Sequence, residues 1–420
     1  MHAAGKAADI VRPMAQPIEN RRHSSHIQDI APRTACAASP LPAIVRLNVT
    51  DFRNHAATRL EVGQEARFVV LTGPNGAGKT NLLETISLLA PGRGMRRAAF
   101  ADMVRHGSAD GWAVAAQVSG LTGEVRIGMA FSAASDDQKR QVRLDGQSVR
   151  SAGVLGEHLR LSWLTPAMDG LFAASASHRR RFLDRLTLAF EPAHASRVVA
   201  LDKLLRQRNR LLENLRANAA WLDAVEAQLA EVAVAVAAGR ISAVTALAGA
   251  MKNVESPDFP FPSARLRLEG WVENRLAESP AVQVEDAYRQ RLAESRREDA
   301  AAGRTLTGPH RSDLLVTHAA KDMPARLCST GEQKALLVAI ILAHAHAVRA
   351  RLGGHPPLLL LDEVAAHLDA TRRQGLFAAL AALGGQVWMT GTDAGLFAGL
   401  AEHAPCAAFH VEDGQVRPQT

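Results

Sequence analysis

The chain has little cysteine, few aromatic residues and no long uncharged apolar run. Three cysteines in 420 residues, Cys36, Cys328 and Cys406, are too few and too scattered for a zinc site or a disulfide framework, which points to a reducing cytoplasm. Aromatic residues make up 4% of the chain, with a single tyrosine, and this argues against a stacking platform for single-stranded nucleic acid. The apolar stretch Ala335 to Leu352 is interrupted by His344, His346, Arg349 and Arg351. No other run approaches the roughly 18 uncharged residues of a membrane span, so no membrane partner is expected. The first 42 residues carry no periodic apolar pattern and no signal-peptide core. They read as a disordered extension or a start-site artefact, and Asp9, Glu19 and Asp29 count against a transit peptide.

What is present describes a globular chain. With 47% hydrophobic and 22% charged residues, it buries a sizeable core, and its length suggests two or three domains. The net charge of +7 favours a polyanionic partner. Contact with the phosphate backbone of duplex is the expected mode, weakening with salt.

The most informative stretch is Gly73-Pro74-Asn75-Gly76-Ala77-Gly78-Lys79-Thr80. Arg67 to Leu71 before it reads as a buried strand, and Leu82, Leu83, Ile86 and Leu89 after it fall on one helical face. In that context the glycine-rich turn and the positive end of the helix converge on phosphates. Lys79 then reaches the β/γ-phosphates of ATP, and Thr80 holds Mg²⁺. Leu358 to Leu361 reads as a buried strand ending in Asp362, the Mg²⁺ carboxylate, and Glu363, placed as general base. Leu327-Cys328-Ser329-Thr330-Gly331-Glu332 precedes a long apolar helix and forms either a second phosphate site or an ordinary capping box of Ser329 with Glu332.

The order of these motifs, closed by Asp369, resembles the ATP-binding-cassette superfamily. The resemblance implies an ATP-gated homodimer in which Ser329 and Gly331 of one subunit complete the nucleotide site of the other, and in which Asp369 bridges the two sites. Four further segments resemble the RecF family and its chromosome-maintenance relatives: Ile44 to His55 with its Phe-Arg-Asn turn, Ser177 to Asp184, Lys203 to Asn209, and Thr305 to Leu314. The resemblance spans about residues 43 to 415. It implies an α/β fold, a P-loop cassette-type ATPase head with an inserted mainly helical domain, divided as head 43–160, arm 161–300 and head 301–420. It also implies a weak DNA-stimulated ATPase of DNA repair and replication. Gapped or duplex DNA and single-strand/double-strand junctions are the expected substrates, RecR and RecO the partners, and RecA the recombinase served indirectly. Arg53 is placed near the nucleotide by the same family pattern.

Two other classes fit the sequence less well. A transporter ATPase needs a glutamine loop and a histidine after the last core strand, and only Thr390 and Thr392 stand there. A non-hydrolytic ATP-gated scaffold is opposed by Glu363. Arg179, Arg180 and Arg181 read either as a solvated charge run or as DNA or interface residues, and His310 either as a surface histidine or as part of such a surface. Two helical faces, Val198 to Leu215 and Leu222 to Val236, predict a short arm of antiparallel helices. Lys203, Arg206, Arg208 and Arg210 are expected to form a basic strip along it. The roughly 280 residues between Lys79 and Asp362, with folded sheet among them, exclude a long coiled-coil tether.

Overall fold

The computed structural model describes residues 41–108, 110–134, 139–213, 219–254 and 259–419. The expected N-terminal extension, apart from its last two residues, and Leu215 lie outside the described residues. β1 (Ala43–Phe52) and β2 (His55–Glu61) form a hairpin, and β3 (Phe68–Thr72) runs through the glycine-rich loop into α1 (Lys79–Ser87). The alternating segments become β4 (Gly111–Gly120), β5 (Gly123–Ser132), β6 (Gln141–Leu144) and β7 (Gln147–Ser148), turning at Asp145-Gly146 where both φ are positive. Together with the first hairpin they make an antiparallel sheet of order β2-β1-β4-β5-β6-β7.

Helices then take over. After α2 (Leu155–His158) and β8 (Leu161–Leu164) come α3 (Ala176–Phe190), α4 (His194–Glu213) and α5 (Ala219–Val254). β9 (Ala264–Glu269), α6 (Trp271–Leu276), α7 (Ala281–Glu294), α8 (Arg296–Ala301), β10 (Asp313–His318) and β11 (Met323–Pro324) follow, the strands forming a small antiparallel sheet of order β11-β10-β9. The chain finishes with α9 (Thr330–Arg351), β12 (Leu358–Leu361), α10 (Ala370–Leu383), β13 (Val387–Gly391), α11 (Leu400–His403), β14 (Cys406–Glu412) and β15 (Gln415–Gln419).

The sheet that positions the site has the order β15-β14-β3-β13-β12-β8, parallel except for β15. Its central strands are apolar without alternation because both faces are buried. Val69, Leu71, Leu358, Leu360 and Trp388 face α1 and the antiparallel sheet. Phe68, Val70, Leu359, Leu361, Val387 and Met389 face a second core built on α9, α10 and α3. β8 pairs with β12 in this sheet, so the segment 161–300 expected as an arm opens with a strand of the head.

The arm is α4 against α5, and α5 also packs on α3, α7 and α9. The structure revises the expected absence of membrane-length apolar runs, because Ala219–Lys252 is one helix long and apolar enough to cross a bilayer. Its packing accounts for that character. Val225, Leu229, Ala233 and Val236 sit in the arm core, Ala243, Leu247 and Met251 in the head core. Its buried Glu226 and Arg240 are both ion-paired, Glu226 with Arg208 and Arg240 with Asp184.

Arg208 corrects the expected basic strip. It is 0% exposed and bonds Glu226 at 2.9 Å, Asp299 at 2.7 Å, the Thr305 hydroxyl at 2.8 Å and the Leu292 carbonyl at 2.7 Å. Four elements thus close around one guanidinium, whose planar fork of donors suits such a site. Lys203, Arg206 and Arg210 are exposed. Arg179 and Arg180 are likewise internal ties: Arg179 makes a bidentate pair with Asp313 at 2.8 and 2.7 Å and Arg180 donates to the Ser312 carbonyl at 2.7 Å, fastening α3 to the entry of β10. Arg181 is exposed and, among the described residues, bonds only back to the Ser177 carbonyl, at 3.1 Å. His310 is largely enclosed, donating from Nε2 to the Thr305 carbonyl at 2.8 Å, and burial pushes it down to about 4.

Candidate nucleotide site

The parallel sheet order explains how residues far apart in sequence meet. β13 lies between β3, which delivers the glycine-rich loop, and β12, which delivers the acidic pair. Thr390, near the end of β13, is 1% exposed and donates to Asp362 Oδ1 at 2.7 Å while its oxygen accepts the Glu363 backbone N–H at 2.9 Å. Thr80 donates to the same Asp362 oxygen at 2.8 Å. Nothing in the sequence marks Thr390 as functional, yet its hydroxyl holds both carboxylate residues. Glu363 has φ of 54°, a left-handed backbone unusual for a residue with a Cβ, and such conformations cluster at functional sites.

The loop is shaped for a phosphate. Gly76 and Gly78 have φ of 82° and 115°, which glycine adopts without steric cost. A Cβ on Gly73 would stand 2.0 Å from the Val411 carbonyl oxygen, so that position also needs glycine. The N-terminus of α1 at Gly78 has no side-chain cap, which leaves its first N–H groups and the helix dipole for an anion. Lys79 is 4% exposed and its Nζ donates to the carbonyls of Gly73 at 2.7 Å and Pro74 at 2.8 Å. Burial pulls its ammonium below the ordinary lysine value, partly offset by Glu363 and Asp362.

Burial pushes the Asp362 carboxyl above its usual range despite hydrogen bonds from Thr390 and Thr80. A buried carboxylate short of positive charge beside a threonine hydroxyl is a hard-oxygen donor set that suits Mg²⁺. Among the described residues no group of three or more His, Cys, Asp or Glu gathers as a metal site. The two-residue set therefore fits a cation that takes its other oxygens from phosphates and water.

The remaining predicted residues sit elsewhere. Arg53, in the β1–β2 turn with φ of 57°, is bidentate to Glu84 at 2.9 Å and bonds the Asp102 carbonyl at 2.7 Å. It is thus tied to α1, one turn beyond Thr80. Ser329 caps α9 in a full capping box with Glu332, whose carboxyl is held down to about 2 by Lys321 and by the Ser329 N–H and hydroxyl. Ser329 and Gly331 are exposed, and no heavy atom lies within 4 Å of a Cβ built on Gly331. Among the described residues no hydrogen bond joins this loop to Gly73–Thr80. Asp369 is exposed and caps α10 by accepting the Arg372 N–H at 2.8 Å.

These features define a P-loop ATPase head of the ATP-binding-cassette type with mixed α/β sheets. The family model for the RecF/RecN/SMC N terminal domain matches residues 43–415. A protein of Rhizobium etli called DNA replication and repair protein RecF is 50% identical over 375 residues, covering 89% of this chain and 98% of that one. Two solved structures share the fold, each at 22% identity and covering 91% of this chain and 99% of theirs. They are the recombination mediator protein RecF-ATP in the RecFOR pathway, with a TM-score of 0.78, and its RecF-ATPrS counterpart, with 0.77. The chain belongs to the RecF family.

Proposed function

We propose that this protein is a cytoplasmic, ATP-dependent DNA-binding protein of recombinational repair and replication-fork maintenance. The observation that carries the ATP reading is the convergence of Thr80, Thr390, Asp362 and Glu363 at the uncapped N-terminus of α1, in a chain of the RecF family. Gly73, Pro74, Asn75, Gly76, Ala77 and Gly78 wrap the phosphates. Lys79 exchanges its two carbonyl contacts for β/γ-phosphate oxygens. Thr80 and Asp362 hold Mg²⁺, which when bound neutralises phosphate charge. Glu363 orients and deprotonates the attacking water.

The exposed Ser329 and Gly331 serve a second copy. Two heads close on two ATP molecules, with Asp369 near the join, and slow hydrolysis, stimulated weakly by DNA, reopens them. The DNA is gapped or duplex, with junctions between single and double strands. RecR and RecO are the protein partners, and loading of RecA onto single strands is the outcome. Ser329→Arg tests the trans contact: it is expected to bind ATP like the unaltered protein and to stay monomeric. A Ser329→Arg protein that dimerises normally with ATP would remove Ser329 and Gly331 from the site.

A further inference from the structure

The turn that follows β1 does more than close a hairpin. Asn54 Nδ2 donates to the Ala77 carbonyl at 2.9 Å, and the next residue, His55, places Nε2 3.1 Å from the Gly78 carbonyl. A peptide unit is planar and trans, so its C=O and N–H point in opposite directions. Fixing the carbonyls of Ala77 and Gly78 on one side of the loop therefore aims the N–H groups of Gly78 and Lys79 to the other side, where the α1 terminus stands open. We infer that Asn54 and His55 are positioning residues of the nucleotide site, acting through these two peptide units to preset the N–H groups that receive phosphate.

Three independent features support the clamp. The Asn54 amide is itself held, its Oδ1 accepting from Asn81 Nδ2 at 2.8 Å, so the NH₂ faces the carbonyl. His55 is 0% exposed, and both its ring nitrogens face carbonyl oxygens, which only accept; the clamp uses the tautomer with the hydrogen on Nε2, in which Nδ1 accepts from the Thr58 hydroxyl. Its Nδ1 lies 2.9 Å from the Gly414 carbonyl and 3.0 Å from the Thr58 hydroxyl, while Gly414 N–H donates to the Ala77 carbonyl at 3.0 Å. The β14–β15 turn thus braces the same clamp from behind. Space is also reserved for it: a Cβ on Gly78 would lie 2.6 Å from His55 Nε2 and 2.7 Å from the Asn54 amide, and one on Gly414 would lie 2.3 Å from the Asn54 carbonyl oxygen. Gly78 thus serves both its positive φ and the approach of these two side chains.

The inference rests on the ATP reading of the loop, and its test separates the two. Affinity for a fluorescent ATP analogue is measured with Mg²⁺ on the full chain for the unaltered protein, Asn54→Ala, His55→Leu and His55→Gln, alongside the melting midpoint of each without nucleotide. Loss of preset charge-assisted donors predicts roughly tenfold to hundredfold weaker binding for Asn54→Ala and His55→Leu. His55→Gln, which keeps a donor near the Nε2 position, is expected within about threefold of the unaltered protein. Should His55→Leu fail to fold, Asn54→Ala, at a half-buried position, together with the glutamine rescue carries the decision. Variants with unshifted melting and unaltered ATP affinity would overturn the clamp. An unaltered protein that binds no ATP analogue would overturn the ATP reading and the clamp with it.

Discussion

Thr390 shows how much of the site depends on one hydroxyl. It is the only bridge between the Asp362 carboxylate and the Glu363 backbone among the described hydrogen bonds, so Thr390→Val leaves a buried carboxylate oxygen short of one donor and frees the backbone of Glu363, the proposed base. The expected result is hydrolysis slower by roughly tenfold or more with ATP affinity changed much less, because loss of one such donor costs about 1–3 kcal/mol. Steady-state turnover set beside equilibrium ATP binding checks this. Equal losses in both would place Thr390 in binding instead. At this scale the loop Gly73 to Thr80 after β3 and the pair Asp362-Glu363 after β12 were legible because each is a run of consecutive residues beside a buried strand. Thr390, Asn54 and His55 were not legible as site residues, since their partners lie mostly on loops that only the strand order brings beside them. His55 and Gly414, for example, are 359 positions apart.

Elements were read from periodicity, and periodicity also held a clue that charge counting overrode. Arg208 falls four residues after Leu204 and seven after Leu201, on the buried face of α4, yet an arginine among basic neighbours reads by charge as a surface residue. Its removal is predicted to be costly. Arg208→Ala leaves Glu226 and Asp299 buried, with, among the described residues, Glu226 keeping only Arg296 and Asp299 only the Ser295 hydroxyl and the Leu306 N–H. Breaking a buried pair in this way costs about 3–5 kcal/mol. Thermal or urea denaturation measures the loss, and ATP affinity is expected to survive in the folded fraction because the contacts lie in the arm. A change within experimental error in stability would mean that the network is solvated. The antiparallel strands and arm helices were legible for the opposite reason, because each buries one regularly spaced face.

The whole molecule carries a pH signature. His344 and His310 are both pushed down to about 4, His344 by burial and the nearby Arg185, His310 by burial and the nearby Arg311 and Arg180. Both have an Nδ1 with no partner, as expected of neutral rings whose Nε2 donates. Unfolded histidine binds its proton near pH 6.5, so between that value and about 4 the unfolded chain takes up protons that the folded one refuses. Stability therefore falls as pH drops through this window, by as much as roughly 3 kcal/mol per histidine. His344→Gln, which can keep the bond to the Leu186 carbonyl, is predicted to flatten the slope by about one proton. An unchanged slope would contradict the assignment.

The proposed dimerisation belongs to the same scale: the nucleotide loop and the exposed Ser329-Gly331 loop share no hydrogen bond among the described residues, and the proposal joins them across two copies. The most direct test is the solution mass of the Glu363→Gln protein with Mg²⁺ and ATP, with and without a short gapped duplex, compared with ADP. Removal of the proposed base while its shape is kept is predicted to trap a dimer with ATP, to leave a monomer with ADP, and to show a more stable dimer when DNA is added. A monomer under every condition would contradict the ATP-gated clamp.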